Sequence, residues 1–196
     1  MKNIFKMDVH PAADIFPMLA PDELNELAED IKVNGLVNPI VVKDDVLIDG
    51  RNRRAACEIA GVTPEVEELN GVDIESYIIS TNINRRHMTK GQQAMAVAKI
   101  YPEAKRGMHS ELNNSTGGFD KGYLSKARAV LSHLPGKADL VLAGTLSLND
   151  AYEEAREEKK LAETEREKYE RLQAMDPELA EKVKQGDLTM VGAEAE

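Results

Sequence analysis

The sequence predicts an α/β N-terminal domain followed by an all-α region and a long charged helix. Three observations carry that prediction. Short β-branched runs alternate with helical periodicity over the first 80 residues, strand signals then vanish, and residues 149–175 are dense in Glu, Lys and Arg. The expected organisation is therefore 1–80, 81–148 and 149–196.

Taking the elements in order, Pro21 suits a first helical turn, and Leu24, Leu27, Ala28 and Ile31 fall at i, i+3, i+4 and i+7 before Gly35. Ile40-Val41-Val42 and Val46-Leu47-Ile48 flank Asp44-Asp45, the pattern of a tight hairpin. A helix over 52–60 follows, with Gly61 suited to a left-handed cap, and then a strand over Val66–Leu69. Thr89 with Gln92 forms a capping box for a helix through Tyr101. Residues 106–118 lack periodicity and read as a loop. Asp120 is placed to cap a helix carrying Tyr123, Leu124, Ala127, Val130, Leu131 and Leu134, which Pro135-Gly136 stops. The C-terminal third contains an internal echo. Pro135, Ala138, Val141, Gly144, Leu146, Ser147, Leu148 and Ala151 recur, 42 positions on, as Pro177, Ala180, Val183, Gly186, Leu188, Thr189, Met190 and Ala193. The unit reads as helix, glycine turn, then a Ser/Thr-capped helix, and both duplication and shared turn chemistry account for it.

The charge of −10 is unevenly spread: residues 1–70 sum to −7, 71–137 to +5 and 138–196 to −8. Only the middle third offers an electrostatic footprint for phosphate. No run approaches a membrane span and no charged-then-apolar leader opens the chain, so a cytoplasmic protein without a membrane partner is the default expectation. Cys57 is the single cysteine, which excludes an internal disulfide and a cysteine-built zinc site, and no metal ligands are nominated.

The most informative stretch is Leu47-Ile48-Asp49-Gly50-Arg51-Asn52-Arg53-Arg54. A strand running through glycine into a helix leaves backbone N–H groups and the positive helix end facing one spot. Arg51, Arg53 and Arg54 add bidentate donors for phosphate oxygens, although the same residues would also serve as a solvated first turn.

Asp49-Gly50-Arg51-Asn52-Arg53, with Ala56 and Ala60-Gly61, resembles the Gly-x-x-Arg phosphate motif of the ParB and sulfiredoxin superfamily. Gly35-Leu36-Val37-Asn38-Pro39-Ile40-Val41-Val42 resembles its Gly-Leu-x-Gln-Pro-Ile-x-Val segment, with Asn38 for glutamine. Asn82-Ile83-Asn84-Arg85 matches an Asn-x-x-Arg motif that contacts nucleotide. Lys121-Gly122-Tyr123-Leu124-Ser125-Lys126-Ala127-Arg128, followed by Leu134-Pro135 and Gly144-Thr145-Leu146-Ser147, resembles the second helix of the ParB helix-turn-helix and its continuation.

The resemblance implies a ParB/sulfiredoxin-like domain binding a nucleoside triphosphate, CTP or ATP with magnesium, through Asn38, Gly50, Arg51, Asn52, Arg53, Arg54, Asn82, Arg85 and Arg86. It further implies DNA as partner, held by Lys121, Tyr123, Ser125, Lys126 and Arg128, and a homodimer. Partition or gene regulation of a phage, plasmid or other mobile element is the context it suggests. The chain departs from the family where Thr81 and Gln92 replace carboxylates, removing oxygen donors for magnesium and placing hydrolysis in doubt. Arg51 stands where sulfiredoxin has its cysteine, and Cys57 reads as a packed residue. Two other classes stay open: a nuclease or NTPase relying on Asp49 and Glu58, and a protein-interaction module using residues 149–175. No catalytic residue is nominated, His87 included, since no carboxylate lies within ten residues of it.

Overall fold

The computed structural model describes residues 3–85, 88–103 and 121–193. Its N-terminal part is a four-stranded mixed sheet in the order β1-β3-β2-β4, formed by β1 (Asp8–Val9), β2 (Ile40–Lys43), β3 (Val46–Asp49) and β4 (Val66–Glu68). The central pair is antiparallel and the outer pairings are parallel. Asp44 and Asp45 make the hairpin turn with φ of 50° and 61°, the positive values a two-residue loop requires between right-twisted strands. The predicted hairpin and the strand at 66 are thus present, the latter ending at Glu68.

Helices α1 (Pro11–Asp14), α2 (Pro21–Asn34) and α3 (Arg51–Ala60) surround this sheet. α2 ends at Gly35 with φ 79°, and α3 at Gly61 with φ 71°, as their sequences predict. The two helices pack together over Ala28, Ile31, Ala56 and Cys57. Helix α4 (Ile74–Arg85) was not expected from periodicity, and residue 80 falls inside it. Its apolar positions Ile78, Ile79 and Ile83 are all buried, but Ser, Thr and Asn between them blur the pattern.

Helix α5 (Lys90–Ile100) begins with the predicted reciprocal box between Thr89 and Gln92. α6 (Lys121–His133), α7 (Ala138–Ala143), α8 (Leu148–Met175), α9 (Pro177–Gln185) and α10 (Met190–Ala193) complete the described chain. The loop expected over 106–118 and the cap expected at Asp120 lie outside the described residues. One hydrophobic cluster runs from Ala12 and Ile48 through α4 and α5 to Leu124, Val141 and Ala155, joining sheet and helices in a shared core.

The 42-residue echo is repeated in hydrogen bonding. Thr145 N–H and Leu146 N–H donate to Leu140 O at 3.1 and 3.2 Å, and Asp187 N–H and Leu188 N–H donate to Lys182 O at 3.0 and 3.3 Å. Gly144 and Gly186 turn at φ 79° and 80°. Asp150 N–H and Gly192 N–H then donate to the hydroxyls of Ser147 and Thr189, both at 3.1 Å. Similar residues at the same offset therefore produce a helix, a glycine turn and a hydroxyl-capped turn twice.

Candidate functional site

The junction of β3 and α3 is built around Gly50, whose φ of 106° turns the buried strand sharply into the helix. Arg54 N–H makes the first helical bond, to Gly50 O at 2.8 Å, and no side chain caps the turn before it. The N–H groups of Arg51, Asn52 and Arg53 are thus the donors that begin α3, beside the positive end of its dipole. They border a cleft of about 230 Å³ whose lining includes Gly50, Arg51, Asn52, Arg53 and Asn82 on the polar side and Ala13, Leu19 and Ile48 on the apolar side.

Each polar side chain is held by a specific partner. Arg51 donates to Ala13 O at 3.0 Å and Phe16 O at 2.7 Å, and pairs with Asp14 at 2.6 Å. Arg53 donates to Asn38 O at 3.1 Å and Pro39 O at 2.9 Å, and pairs with Asp49 at 2.7 Å. Asn52 Oδ1 accepts from Leu19 N–H at 3.1 Å, and Asn82 Nδ2 donates to Ile78 O at 2.9 Å. The guanidinium groups are therefore oriented before any ligand arrives, a saving in ordering entropy on binding. Two well-oriented guanidiniums beside helix-start amides that no described side chain caps can hold a phosphate-sized anion.

Of the residues nominated for this site, Gly50, Arg51, Asn52, Arg53 and Asn82 converge on the cleft. Arg54 faces elsewhere, donating to Met7 O at 2.7 Å, and Asn38 contributes its backbone carbonyl to Arg53. Arg85 ends α4 but its side chain, like Arg86 and His87, lies outside the described residues. Asp49 is only 8% exposed and completes the site as the partner of Arg53, a role readable from their i, i+4 spacing. Ala13 and Leu19 were not anticipated, because a four-residue helix and an irregular segment carry no periodic signal.

A magnesium ion built into the protein does not fit this donor set. Hard cations take about six oxygen ligands, whereas Asp49 Oδ2 is engaged by Arg53 and Asn52 Oδ1 by Leu19. Among the described residues no cluster of three or more His, Cys, Asp or Glu forms. Thr81 bonds to Tyr77 O and Ile78 O within its own helix. Gln92 receives Thr89 N–H on Oε1 and donates Nε2–H to Leu142 O at 3.0 Å, a bond that a carboxylate would forfeit. Cys57 is fully buried, and burial pushes its thiol up, with the Arg53 charge only partly offsetting that.

On α6, Lys121 and Ser125 are exposed, while Tyr123 is half-buried beside the start of α5. Lys126 Nζ donates to Asn149 Oδ1 at 2.8 Å and lies 6.0 Å and 5.4 Å from the ring centres of Tyr123 and Tyr152. Arg128 donates to Tyr101 O and Glu103 O, each at 3.1 Å, through one guanidinium nitrogen, and burial pulls its pKa down. The five residues nominated for DNA thus separate into exposed Lys121 and Ser125, tethered Lys126, and the more structural Tyr123 and Arg128. Among the described residues no helix is long and apolar enough to cross a membrane.

No protein-family model matches the chain. It is 27% identical over 124 residues, or 59% of its length, to a probable chromosome-partitioning protein ParB of Xylella fastidiosa strain 9a5c. A ParB of the same description from strain Temecula1 is 28% identical over 120 residues. The chain spans 37% and 36% of those two relatives. Its fold is similar to a solved Pnob8-like ParB-N domain, with a TM-score of 0.51 at 14% identity, over 92% of this chain and 86% of that one. The chain is thus similar in sequence to part of two ParB proteins and in fold to a ParB-N domain.

Proposed function

We propose that this chain is a ParB-like DNA-binding protein whose N-terminal domain binds a nucleoside triphosphate, CTP or ATP, and thereby alters its hold on DNA. The observation that carries the nucleotide half is the uncapped start of α3, which opens with Arg51 and Arg53 onto one cleft. The amides of residues 51–53 and the two guanidiniums take the phosphates, and the apolar wall of Ala13, Leu19 and Ile48 takes the sugar or base. Arg85 and Arg86 follow Asn82 in the sequence and are proposed to close over the ligand. DNA is held by α6 through Lys121, Ser125 and Lys126, the last exchanging Asn149 for a phosphate. The relatives support this half, being described as chromosome-partitioning proteins. We place the chain in partition or gene regulation, in a phage, plasmid or other mobile element, acting as a homodimer.

Titration calorimetry with CTP, ATP and GTP tests the nucleotide half. Binding of one of them by the wild type, lost in Arg51→Ala, supports it. Asp14→Ala provides the converse, because an exposed carboxylate that competes for Arg51 is removed and affinity should rise. A folded wild type that binds none of the three nucleotides refutes it. A hydrolytic reading has less support, since Asp49 is committed to Arg53 and Glu58 is exposed on α3 outside the cleft lining.

A further inference from the structure

The N-terminal half of α8 lies in the C-terminal third, whose charge sums to −8, but its charges are sorted by face. Arg156, Lys159, Lys160 and Glu163 follow one another at i, i+3, i+4 and i+7 and line one concavity of about 270 Å³ against α6. Ala129 and His133 of α6 and Tyr152 of α8 complete its floor. Three cations therefore share this face with two carboxylates, Glu163 in the lining and Glu153 paired with Arg156. Glu154, by contrast, is directed to Lys137 at 2.8 Å.

This face is continuous with α6. Lys126 and Arg156 lie 5.4 and 5.9 Å from the same Tyr152 ring centre, so the aromatic ring bridges the cations of the two helices. The carboxylate contacts on this face are readily exchanged. Arg156 pairs with Glu153 at 2.8 Å and Lys159 with Glu163 at 3.7 Å, and all four side chains are more than half exposed. Exposed pairs of this kind contribute little and yield to a denser anion.

We infer that duplex DNA is gripped by a two-helix surface, in which Arg156, Lys159 and Lys160 of α8 contact the phosphate backbone beside the segment held by α6. The inference rests on the reading of α6 as a DNA-binding helix and extends it to residues no motif marks. From Arg156 to Lys160 the helix rises about 6 Å, a span over which a duplex presents roughly three to four phosphate charges, and the long side chains widen the reach. That suffices for three contacts. The partner is identified by charge complementarity: a linear, closely spaced polyanion fits a linear row of cations.

The test compares two charge-matched triple variants of the full chain. One is Arg156→Gln/Lys159→Gln/Lys160→Gln. The other, further along the same helix, is Arg166→Gln/Lys168→Gln/Arg171→Gln. Affinity for a mixed-sequence duplex is measured against salt, with circular dichroism confirming equal helix content. The first variant should weaken binding and flatten the log–log slope by up to about 2.7, at about 0.9 per lost phosphate contact. The second should leave the slope within error of wild type, since net charge changes equally in both. Restoring charge with Arg156→Lys/Lys159/Lys160 unchanged should keep the wild-type slope. If both triple variants behave alike while the wild type binds DNA, the inference is overturned and the α6 reading stands. If the wild type has no duplex affinity, both fall. Retention on poly-glutamate that depends on these three residues, without retention on DNA, would reassign the surface to an acidic protein partner and overturn the inference.

Discussion

Substituting Gly50 by alanine probes the cleft at its narrowest point. The new Cβ would lie 3.2 Å from both Nε and Nη2 of Arg53 and 3.3 Å from Ile40 Cγ1, in a backbone conformation of φ 106°. The conformational penalty is about 1–2 kcal/mol. Arg53 must also give way, weakening its bonds to Asn38 O, Pro39 O and the buried Asp49, at a further ~1–3 kcal/mol. The sum is ~2–5 kcal/mol from these two sources. Gly61→Ala is the natural control, because its φ is 71° but nothing lies within 4 Å of the added carbon. It should lose only the conformational part, about 1–2 kcal/mol. Urea unfolding followed by circular dichroism would give both values, and nucleotide calorimetry should show binding lost in the first variant alone. Equal destabilisation by the two substitutions, or unchanged nucleotide affinity in Gly50→Ala, would refute the claim that Arg53 is held against Gly50 to serve the cleft.

Other outcomes follow from the same contacts. Arg53→Ala removes the 2.7 Å ion pair to the nearly closed Asp49 and should destabilise the fold by ~1–3 kcal/mol, measurable by urea unfolding. Gln92→Glu, although it restores a family carboxylate, removes the donor to Leu142 O and should destabilise by ~1–3 kcal/mol without enabling hydrolysis, as a phosphate-release assay would show. Arg128→Ala should lower the unfolding midpoint because two backbone carbonyls lose this donor, whereas Lys121→Ala should leave the midpoint unchanged while weakening DNA binding and flattening its salt dependence. Because burial raises the folded-state pKa of Cys57, the folded chain keeps a proton that the unfolded chain loses as pH rises through the ordinary thiol range. Stability should therefore fall above about pH 9, a loss that Cys57→Ala removes, and the thiol should resist alkylation until the chain unfolds.

What the sequence disclosed was local chemistry, and what it concealed was chain-crossing partnership. The Asp44-Asp45 hairpin, the Gly35 and Gly61 caps and the Thr89–Gln92 box are decided by residues a few positions apart, and each is found in the fold. The Gly50 junction was legible for the same reason. By contrast, the carbonyls of Ala13 and Phe16 that steer Arg51 come from 38 and 35 residues upstream, in a segment with no periodicity. Arg128 likewise looked like a surface cation, and only the approach of Tyr101 and Glu103 gives it internal acceptors. Helix α4 was missed because polar residues interrupt its apolar face, yet it brings Asn82 to the cleft. Summing charge by segment concealed the basic face of α8, since summation ignores the 100° per residue that sorts side chains around a helix.

The central claim joins the two halves of the molecule, and one measurement reaches both. Duplex affinity of the wild-type chain, near 50 mM salt, is recorded without nucleotide and then with saturating CTP and ATP in turn. The account predicts salt-sensitive binding without nucleotide and a changed affinity with at least one of them, the change disappearing in Arg51→Ala. Absence of duplex binding, or binding indifferent to every nucleotide that occupies the cleft, would contradict it.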